Sequence, residues 1–529
     1  MKVERILNEL SRASAIPDAD DPPEICQTHI SVVFLTDDRA YKLKKPVDLG
    51  FVDYSDVERR RHFCEREVEL NRRTTEGIYL GVVPVRETDG GLSIGGESGE
   101  VVDWAVEMRR LPADATIERR LEHGEIGAAT LSEAARRIAE FHASARTGPE
   151  VGRHATFRAV AANVRDNFEQ SRDQVGRTVE REVFARVREA SERALETHHS
   201  LIERRAEGDV AVDGHGDLRL EHIYHFPEQP RPRDFQIVDC VEFDEALRCA
   251  DPVSDASFVA MDLRRAGRWR IAETFIDEYL AAADDAEGRP LVSLYVSYRA
   301  AVRGKVMGMK AVEGEVDPED RDRAARRARA YWSLALDALA DPDERPGLVL
   351  VAGLPATGKS TVADQLADRA NLEVIDTDVV RKELAGLSPD ESASDDFGEG
   401  IYSSEWSERT YEECRRRAER VLRQGGRVAV DATFNRRERR GPFVDLARTA
   451  GVRWAWLDCR APEETVADRM EARDSGPSDA DLEVYRQMRE RRDPPDESHR
   501  RTFHALGTDR PLDETIDDAV DYLRTVGLY

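Results

Sequence analysis

Residues 348–361 read LVLVAGLPATGKST. The apolar run Leu348 to Ala352 has the pattern of a strand buried on both faces. It breaks at Gly353 into G-x-x-x-x-G-K-S, completed by Gly358, Lys359 and Ser360. In that pattern the glycines let backbone N–H groups close around phosphate oxygens. A lysine reaches the β- and γ-phosphates, and a hydroxyl ligates Mg²⁺. The helix expected next would add its positive N-terminal end. The stretch therefore predicts a nucleotide cradle of Gly353, Leu354, Pro355, Ala356, Thr357, Gly358, Lys359, Ser360 and Thr361.

Outward from this point the chain alternates. LEVID (372–376), RVAVDAT (427–433) and VRWAWLDC (452–459) read as short strands, each followed by a helical pattern. That rhythm predicts a parallel sheet with helices on both faces over residues 347–529. Asp376 and Asp378 would emerge at the carboxyl edge of the sheet, where α/β sites lie. Asp378 could accept the proton of an acceptor hydroxyl, and Arg381, one helical turn on, could hold an anionic group. The plainer alternative is an Asp N-cap with a solvated arginine. Asp431, closing the third strand, suits the acid that supports Mg²⁺, or else is a strand-end turn residue. Arg469 and Arg473 share one helical face before a polar stretch, as phosphate-covering lid cations would, although a solvated helix looks the same.

Upstream, ADPDERPG (340–347) punctuates the chain with two prolines and charges, which places a linker at 341–346. Residues 1–340 read as one domain, a β-rich lobe over about 25–112 and a helical lobe over about 113–340. Within it lies GHGDLRLEHI (214–223), and Asp239 in IVDCVEF follows Asp217 by 22 positions. Kinase-like catalytic loops space a proton-accepting Asp and a metal-holding Asp in this way. YKLKK (41–45) supplies a strand lysine, and Glu67 could pair with it from the helix predicted over 56–73. Lys42 and Lys44 face the same side; Lys42 is preferred and Lys44 is the rival.

Composition sets limits. A chain of 529 residues is long for one core. The formal net charge of −27 argues against a general nucleic-acid or anionic-membrane binder. Only eight lysines accompany 71 arginines, so a lysine calls for a reason; three fall in YKLKKP and one in ATGKST. Six scattered cysteines with no CxxC pair read as reduced cytoplasmic thiols. MKVERILNEL reads as an amphipathic helix start and not as a signal peptide. No apolar run is long enough to span a membrane.

GLPATGKST, DTDVVRKEL and DATFNRRERR resemble P-loop kinases of the polynucleotide-kinase, gluconate-kinase and chloramphenicol-phosphotransferase type (AAA_33 type). The resemblance covers roughly 346–529 and implies Asp378 as general base. HGDL, IVDCVEF and ADPVSDASFVAMDL resemble the aminoglycoside phosphotransferase-like kinases over about 25–320. There the last stretch, through Asp251 and Asp255, usually braces the catalytic loop. The departure is His222, which stands where that family has a metal-binding Asn. His222 could contact metal or phosphate, or mark a slow, regulatory domain.

The whole order resembles bacterial and archaeal fusions of the two domains: a protein-kinase-like bilobal fold, then a P-loop NTPase domain. It implies an ATP- and Mg²⁺-dependent phosphotransferase acting on a small-molecule hydroxyl acceptor, surest in the C-terminal half and bifunctional if Asp217 and Asp239 also work. The alternatives are a nucleotide-binding sensor with an N-terminal pseudokinase, and a nucleic-acid end kinase. A nucleic-acid partner is disfavoured by the acidity, and no membrane partner is expected.

Overall fold

The computed structural model describes residues 3–17, 19–48, 50, 52–314, 316–388, 400–472, 482–495 and 502–529. The chain packs as two compact units. One comprises Met1–Ala162, His198–Leu263 and Trp269–Tyr295; the other comprises Asn163–Thr197, Arg264–Arg268 and Val296–Tyr529.

In the first unit, six strands form an antiparallel sheet: β1 (Glu24–Gln27), β2 (Ser31–Leu35), β3 (Arg39–Lys44), β4 (Tyr79–Thr88), β5 (Gly91–Ile94) and β6 (Glu100–Arg109). Their order is β1-β2-β3-β6-β4-β5. Alternation along the strands gives the sheet two apolar faces. On one, Phe34, Tyr41, Leu43 and Val85 pack with Ile6 and Leu10 of the first helix. On the other, Ile78, Tyr79 and Val106 meet Cys64 and Val68 of the helix Val57–Asn71. That helix starts where Asp56 accepts the N–H groups of Glu58 and Arg59, an N-cap that satisfies two otherwise orphaned donors.

Helices dominate the rest of this unit, including Ala128–Ser144 packed on Trp269–Ala282. Two short ladders interrupt them: β7 (Val212–Asp213) with a later β10 (Cys249–Ala250), and β8 (Ile223–His225) with β9 (Phe235–Ile237). The GHGDLRLEHI loop runs from β7 to β8, and Asp239 sits just beyond β9. A β-rich lobe with one long helix followed by a helical lobe is the protein-kinase-like arrangement expected.

The second unit holds a five-stranded parallel sheet: β11 (Gly347–Gly353), β12 (Glu373–Asp376), β13 (Arg427–Ala432), β14 (Arg453–Arg460) and β15 (Phe503–Gly507), ordered β12-β13-β11-β14-β15. Every residue of β11 is buried, as a central strand covered on both faces requires. One face packs Val362, Ala363 and Leu366 of the helix Lys359–Ala370 together with Ile516, Ala519 and Val520. The other packs Tyr411, Cys414, Phe443 and Ala447 from two further helices. The sequence expectation contained four of these strands; β15, with a histidine near its start and five residues in all, gave too weak a pattern.

Compactness does not track the punctuation at 341–346. The helices Val292–Lys310 (from Val296) and Pro318–Leu339 belong with the parallel sheet, although they precede the prolines. Physical causes are visible: Pro318–Leu339 packs on the helix Arg437–Ala450, Asp337 pairs with Arg453 at 3.0 Å, and Trp332 joins an aromatic cluster with Phe168 and Phe184. Among the described residues, no helix is long and apolar enough to cross a membrane.

Candidate functional site

The C-terminal site begins where β11 stops. Gly353 has φ +153°, and a Cβ there would lie 2.5 Å from Thr357 Oγ1 and 2.8 Å from Cys459 O, so no larger residue fits. Thr357 Oγ1 donates to Leu354 O at 2.8 Å and cinches the loop. Gly358, at φ +88°, starts the helix Lys359–Ala370 with no side-chain cap. The first N–H groups of that helix are therefore left for an anion. Lys359 Nζ donates to Leu354 O at 3.3 Å, folded back over its own loop.

Parallel register aligns Asp376 of β12 with Asp431 of β13. Ser360 Oγ donates to Asp431 Oδ2 at 2.6 Å, joining the loop to the neighbouring strand end. Burial, reinforced by Asp376, pushes the Asp431 carboxyl up to about 7 against the pull of Lys359 and Ser360. A buried acid with a raised pKa beside a hydroxyl is a place that gains from a cation. Both donors are oxygens, which suits hard Mg²⁺.

Asp376 is the helix cap: its Oδ1 accepts Asp378 N at 2.7 Å and Val379 N at 3.2 Å. Asp378 is thereby left for the cleft. Burial and the nearby Asp376 raise its pKa, with Arg381 and Lys359 opposing. Arg381 is buried rather than solvated, and donates to Ile401 O at 3.1 Å and Ser407 Oγ at 3.3 Å. Its Nε lies 3.9 Å from Asp378 Oδ1 and has no hydrogen-bond partner.

Arg469 reaches the phosphate loop, donating to Ala356 O at 3.4 Å and to Thr508 O at 2.5 Å. Arg473 lies outside the described residues. Thr508, which sequence reasoning did not single out, donates to Thr357 O at 2.7 Å. It comes directly after β15, so missing the strand meant missing the residue.

The N-terminal site is assembled from distant stretches. Lys42 Nζ lies 2.6 Å from Asp239 Oδ1 and 2.9 Å from Glu67 Oε1. Lys44 Nζ takes the other Glu67 oxygen at 2.8 Å and also contacts Glu242, which accepts from the Tyr54 hydroxyl at 2.6 Å. Glu67 thus divides its carboxylate between the two lysines. Lys42 alone of the two reaches Asp239, while Lys44 is fully buried. Desolvation works against charge on Asp239, but Lys42 and His222 outweigh it and hold the carboxyl below the usual range.

Asp255 braces the GHGDLRLEHI loop by accepting His215 N at 2.6 Å and Gly216 N at 3.0 Å. A Cβ on Gly214 would sit 2.4 Å from that carboxylate. Asp251 braces elsewhere: it pairs with Arg205 at 2.7 Å and caps the helix at Val253. Asp217 is 30% exposed at its side chain, with Oδ2 3.7 Å from His222 Nδ1. His222 stands between the acids: Nδ1 donates to Asp217 O at 2.8 Å, and Nε2 is 3.8 Å from Asp239 Oδ2. Asp239 suits Mg²⁺, but imidazole is a poor ligand for so hard an ion. The donor set of this site therefore does not fit the Mg²⁺ pair of the kinase pattern.

The AAA_33 family model, described as an AAA domain, matches residues 348–495. Rv2004c of Mycobacterium tuberculosis is 30% identical over 512 residues, which cover 97% of each chain. Among solved structures, a gluconokinase from Sinorhizobium meliloti 1021 is similar at 21% identity and TM-score 0.25, over 34% of this chain and 94% of its own. A choline/ethanolamine kinase family protein from Mesorhizobium loti gives 16% identity and TM-score 0.35, over 64% and 99%. Aminoglycoside 2'-phosphotransferase-IIIa, in its GDP complex, gives 12% and 0.38, over 62% and 97%. By its likeness to the mycobacterial protein over 97% of each chain, with the AAA_33 domain in its C-terminal part, the chain belongs to the family of Rv2004c.

Proposed function

We propose that this protein is an ATP-dependent phosphotransferase that moves a γ-phosphoryl group onto a hydroxyl of a small molecule, using the C-terminal P-loop domain. The observation that carries the reading is the convergence at one sheet edge of Lys359, the Ser360–Asp431 pair and a raised-pKa Asp378. The loop N–H groups and Lys359 hold the β- and γ-phosphates, and Arg469 covers them. Ser360 and Asp431 would hold Mg²⁺, which supplies charge neutralisation on the phosphates. Asp378 orients the acceptor hydroxyl and takes its proton. Arg381, buried and with its Nε–H unused, holds an anionic or strongly polar group of the acceptor. Transfer leaves the phosphoryl on the acceptor oxygen, the proton on Asp378 and ADP in the loop.

A second phosphoryl transfer in the N-terminal domain is favoured by one specific feature: Lys42, Glu67 and Asp239 are already in register, with Asp217 presented on a braced loop. In that reading Asp217 accepts the second acceptor's proton and Lys42 contacts phosphate. A regulatory pseudokinase would keep the pairing but show no turnover of its own. The net charge of −27 disfavours a nucleic-acid end as acceptor. Six free cysteines, five of them buried, suit the reducing cytoplasm.

The deciding measurement is ADP release with sugars, nucleosides, aminoglycosides and 5′-hydroxyl oligonucleotides, for wild type, Lys359→Ala and Asp217→Ala. Loss of all turnover in Lys359→Ala alone assigns the chemistry to the P-loop half. Loss of different acceptors in the two variants makes the protein bifunctional. Full turnover in Lys359→Ala sinks the primary reading.

A further inference from the structure

We infer that Arg492 is a further phosphate-contacting residue of the C-terminal site, with Asp458 as its resting counter-ion and the γ-phosphoryl group as its working partner. This deepens the reading of that site as an ATP-dependent phosphotransferase and rests on it.

The strand order places it. β11 lies between β13 and β14 in the sheet, and the end of β11 is the phosphate loop. Arg492 and the residues after it join those two neighbours across that end. The guanidinium pairs with Asp458 of β14, which is level with Ala352, the residue before Gly353. The main chain follows the turn after β13. Asp493 N donates to Asn435 O at 2.8 Å, Arg437 N donates to Asp493 Oδ2 at 2.8 Å, and Arg440 Nη2 donates to Pro494 O at 3.3 Å. The backbone is thus pinned, while the Arg492 side chain is 20% exposed. The face of the sheet agrees. Trp456 and Asp458 are two apart on one strand and point to the same side. Trp456 packs there with Tyr411 and with Val380 from the helix of Asp378. Ser407, which holds Arg381, is one turn from Tyr411 on the helix Ser404–Arg423. The helix that follows the phosphate loop packs on the opposite side, with Leu457 and Cys459. Arg492 therefore stands on the acceptor side of the phosphate loop, whereas Arg469 comes from the end of β15.

The local charges free Arg492 to move. Asp458 is fully buried, and each of its oxygens has an arginine: Oδ2 takes Arg460 Nε at 2.8 Å, and Oδ1 takes Arg492. When Arg492 turns away, Arg460 stays, so the buried carboxylate is never left unpaired. Arg440 adds a third guanidinium. It is 2% exposed, lies over the Trp456 ring, and donates to the carbonyls of Phe434 and Pro494. Burial presses the charge of Arg440 down and Arg492 adds to that, while Asp493 and Asp458 oppose. Arg440, Arg460 and Arg492 outnumber Asp458 and Asp493, which leaves positive charge at the edge of the phosphate loop. An anion arriving there relieves the crowding. The planar fork of Arg492 can give two N–H groups to the oxygens of a phosphoryl group, where charge gathers during transfer.

The test is calorimetric titration of the full chain with Mg²⁺ and either ADP or AMP-PNP, a non-hydrolysable ATP analogue, in an Asp239→Ala background. Binding that Lys359→Ala removes identifies the C-terminal site. The two nucleotides differ at the γ-phosphate, so the ratio of their Kd values isolates contacts to that group. Arg492→Ala is expected to weaken AMP-PNP about tenfold and to leave ADP within about twofold of the parent. Asp458→Asn is expected to shift the ratio the opposite way, in favour of AMP-PNP, because it removes the resting counter-ion and keeps the arginine. A purely structural ion pair responds alike to the loss of either partner, so opposite signs separate the two roles. Thermal melts report the folding of each variant. If Arg492→Ala does not fold, the sign of the Asp458→Asn shift decides. An unchanged ratio in Arg492→Ala, or a shift against AMP-PNP in Asp458→Asn, overturns the inference and leaves the phosphotransferase reading intact. Absence of any nucleotide binding sensitive to Lys359→Ala overturns that reading, and the inference falls with it.

Discussion

The two candidate sites of this chain are built by opposite means. In the P-loop half, the cradle is mostly backbone from one contiguous stretch, Gly353 to Ser360, and a single neighbouring strand supplies Asp431. In the N-terminal half, side chains do the work, and Lys42 meets Asp239 across 197 positions of sequence. A backbone cradle costs little to keep in shape, because strand, loop and helix hold it. A side-chain cradle must balance charges: two lysines against the buried Glu67 and Glu242 and the partly exposed Asp239. One site is fixed by conformation, the other by electrostatics. Substitutions should therefore injure them differently.

The largest effect is expected at Asp378, the acid proposed as the base. Asp378→Asn keeps the size of the side chain and removes the base, so kcat on the C-terminal acceptor should fall by about 10²–10⁴ with KM little changed. Burial and Asp376 raise the Asp378 pKa. The acid limb of the pH–rate profile should accordingly lie above that of an ordinary aspartate, with activity lost as pH falls through it. A profile flat down to pH 4, or an active Asn variant, would remove Asp378 from this role.

The N-terminal counterpart should break in stability before it breaks in chemistry. Lys44 is fully buried between Glu67 and Glu242. Lys44→Met leaves Glu242 without a cation and Glu67 with Lys42 alone, and should cost about 3–5 kcal/mol, because an uncompensated buried charge is expensive. Lys42→Met should cost less, since Asp239 is 45% exposed at its side chain, while nucleotide affinity at that site should fall more than in Lys44→Met. Thermal melts and nucleotide titration of the two variants separate the roles. Equal losses of both properties would mean that the lysines are one structural unit.

This pair also marks how far the sequence could be read. Lys42 and Lys44 share a face of β3, and period-2 alternation cannot rank them; only the position of Asp239 does. The P-loop was legible because its chemistry is local, and four strands of the parallel sheet because each is a short apolar run; β15 is not. Arg381 was not legible as buried, since a helical arginine among 71 looks solvated until the segment holding Ile401 and Ser407 closes over it. The allocation of Asp376 to capping and Asp378 to the cleft depends on the strand ending where it does. That two helices preceding the prolines pack with the parallel sheet could not be seen at all, because linear punctuation carries no record of which apolar face finds which.

A smaller effect is expected from pH in the N-terminal loop. Burial pushes His215 down to about 4 from an ordinary value near 6.5. The unfolded loop therefore binds a proton that the folded loop refuses between those values, so stability falls as pH drops from about 6.5 toward 4. The loss is up to roughly 3 kcal/mol at the acid end and about 2 kcal/mol by pH 5. Hydrogen exchange of peptides spanning 212–225 at pH 7 and pH 5, for wild type and His215→Asn, measures it. An identical pH slope in both proteins would assign the sensitivity to another group.

The smallest effect tests whether the C-terminal site closes on its ligand. Lys42 is held by carboxylates, whereas Arg469 donates to neutral oxygens on Ala356 and Thr508. Neutral partners bind a guanidinium less firmly than a carboxylate does, so Arg469 can turn toward phosphate when nucleotide arrives at little cost. Arg469→Ala should weaken ATP binding or transition-state stabilisation by about tenfold, roughly 1.4 kcal/mol, and leave melting within about 0.5 kcal/mol of wild type. Arg469→Lys should recover only part of this, because an ammonium cannot span the backbone and phosphate oxygens as a planar fork does. If Arg469→Ala destabilises the domain and spares ATP, the arginine is a brace between the loop and the strand end, and the C-terminal site is as rigid in its side chains as in its backbone.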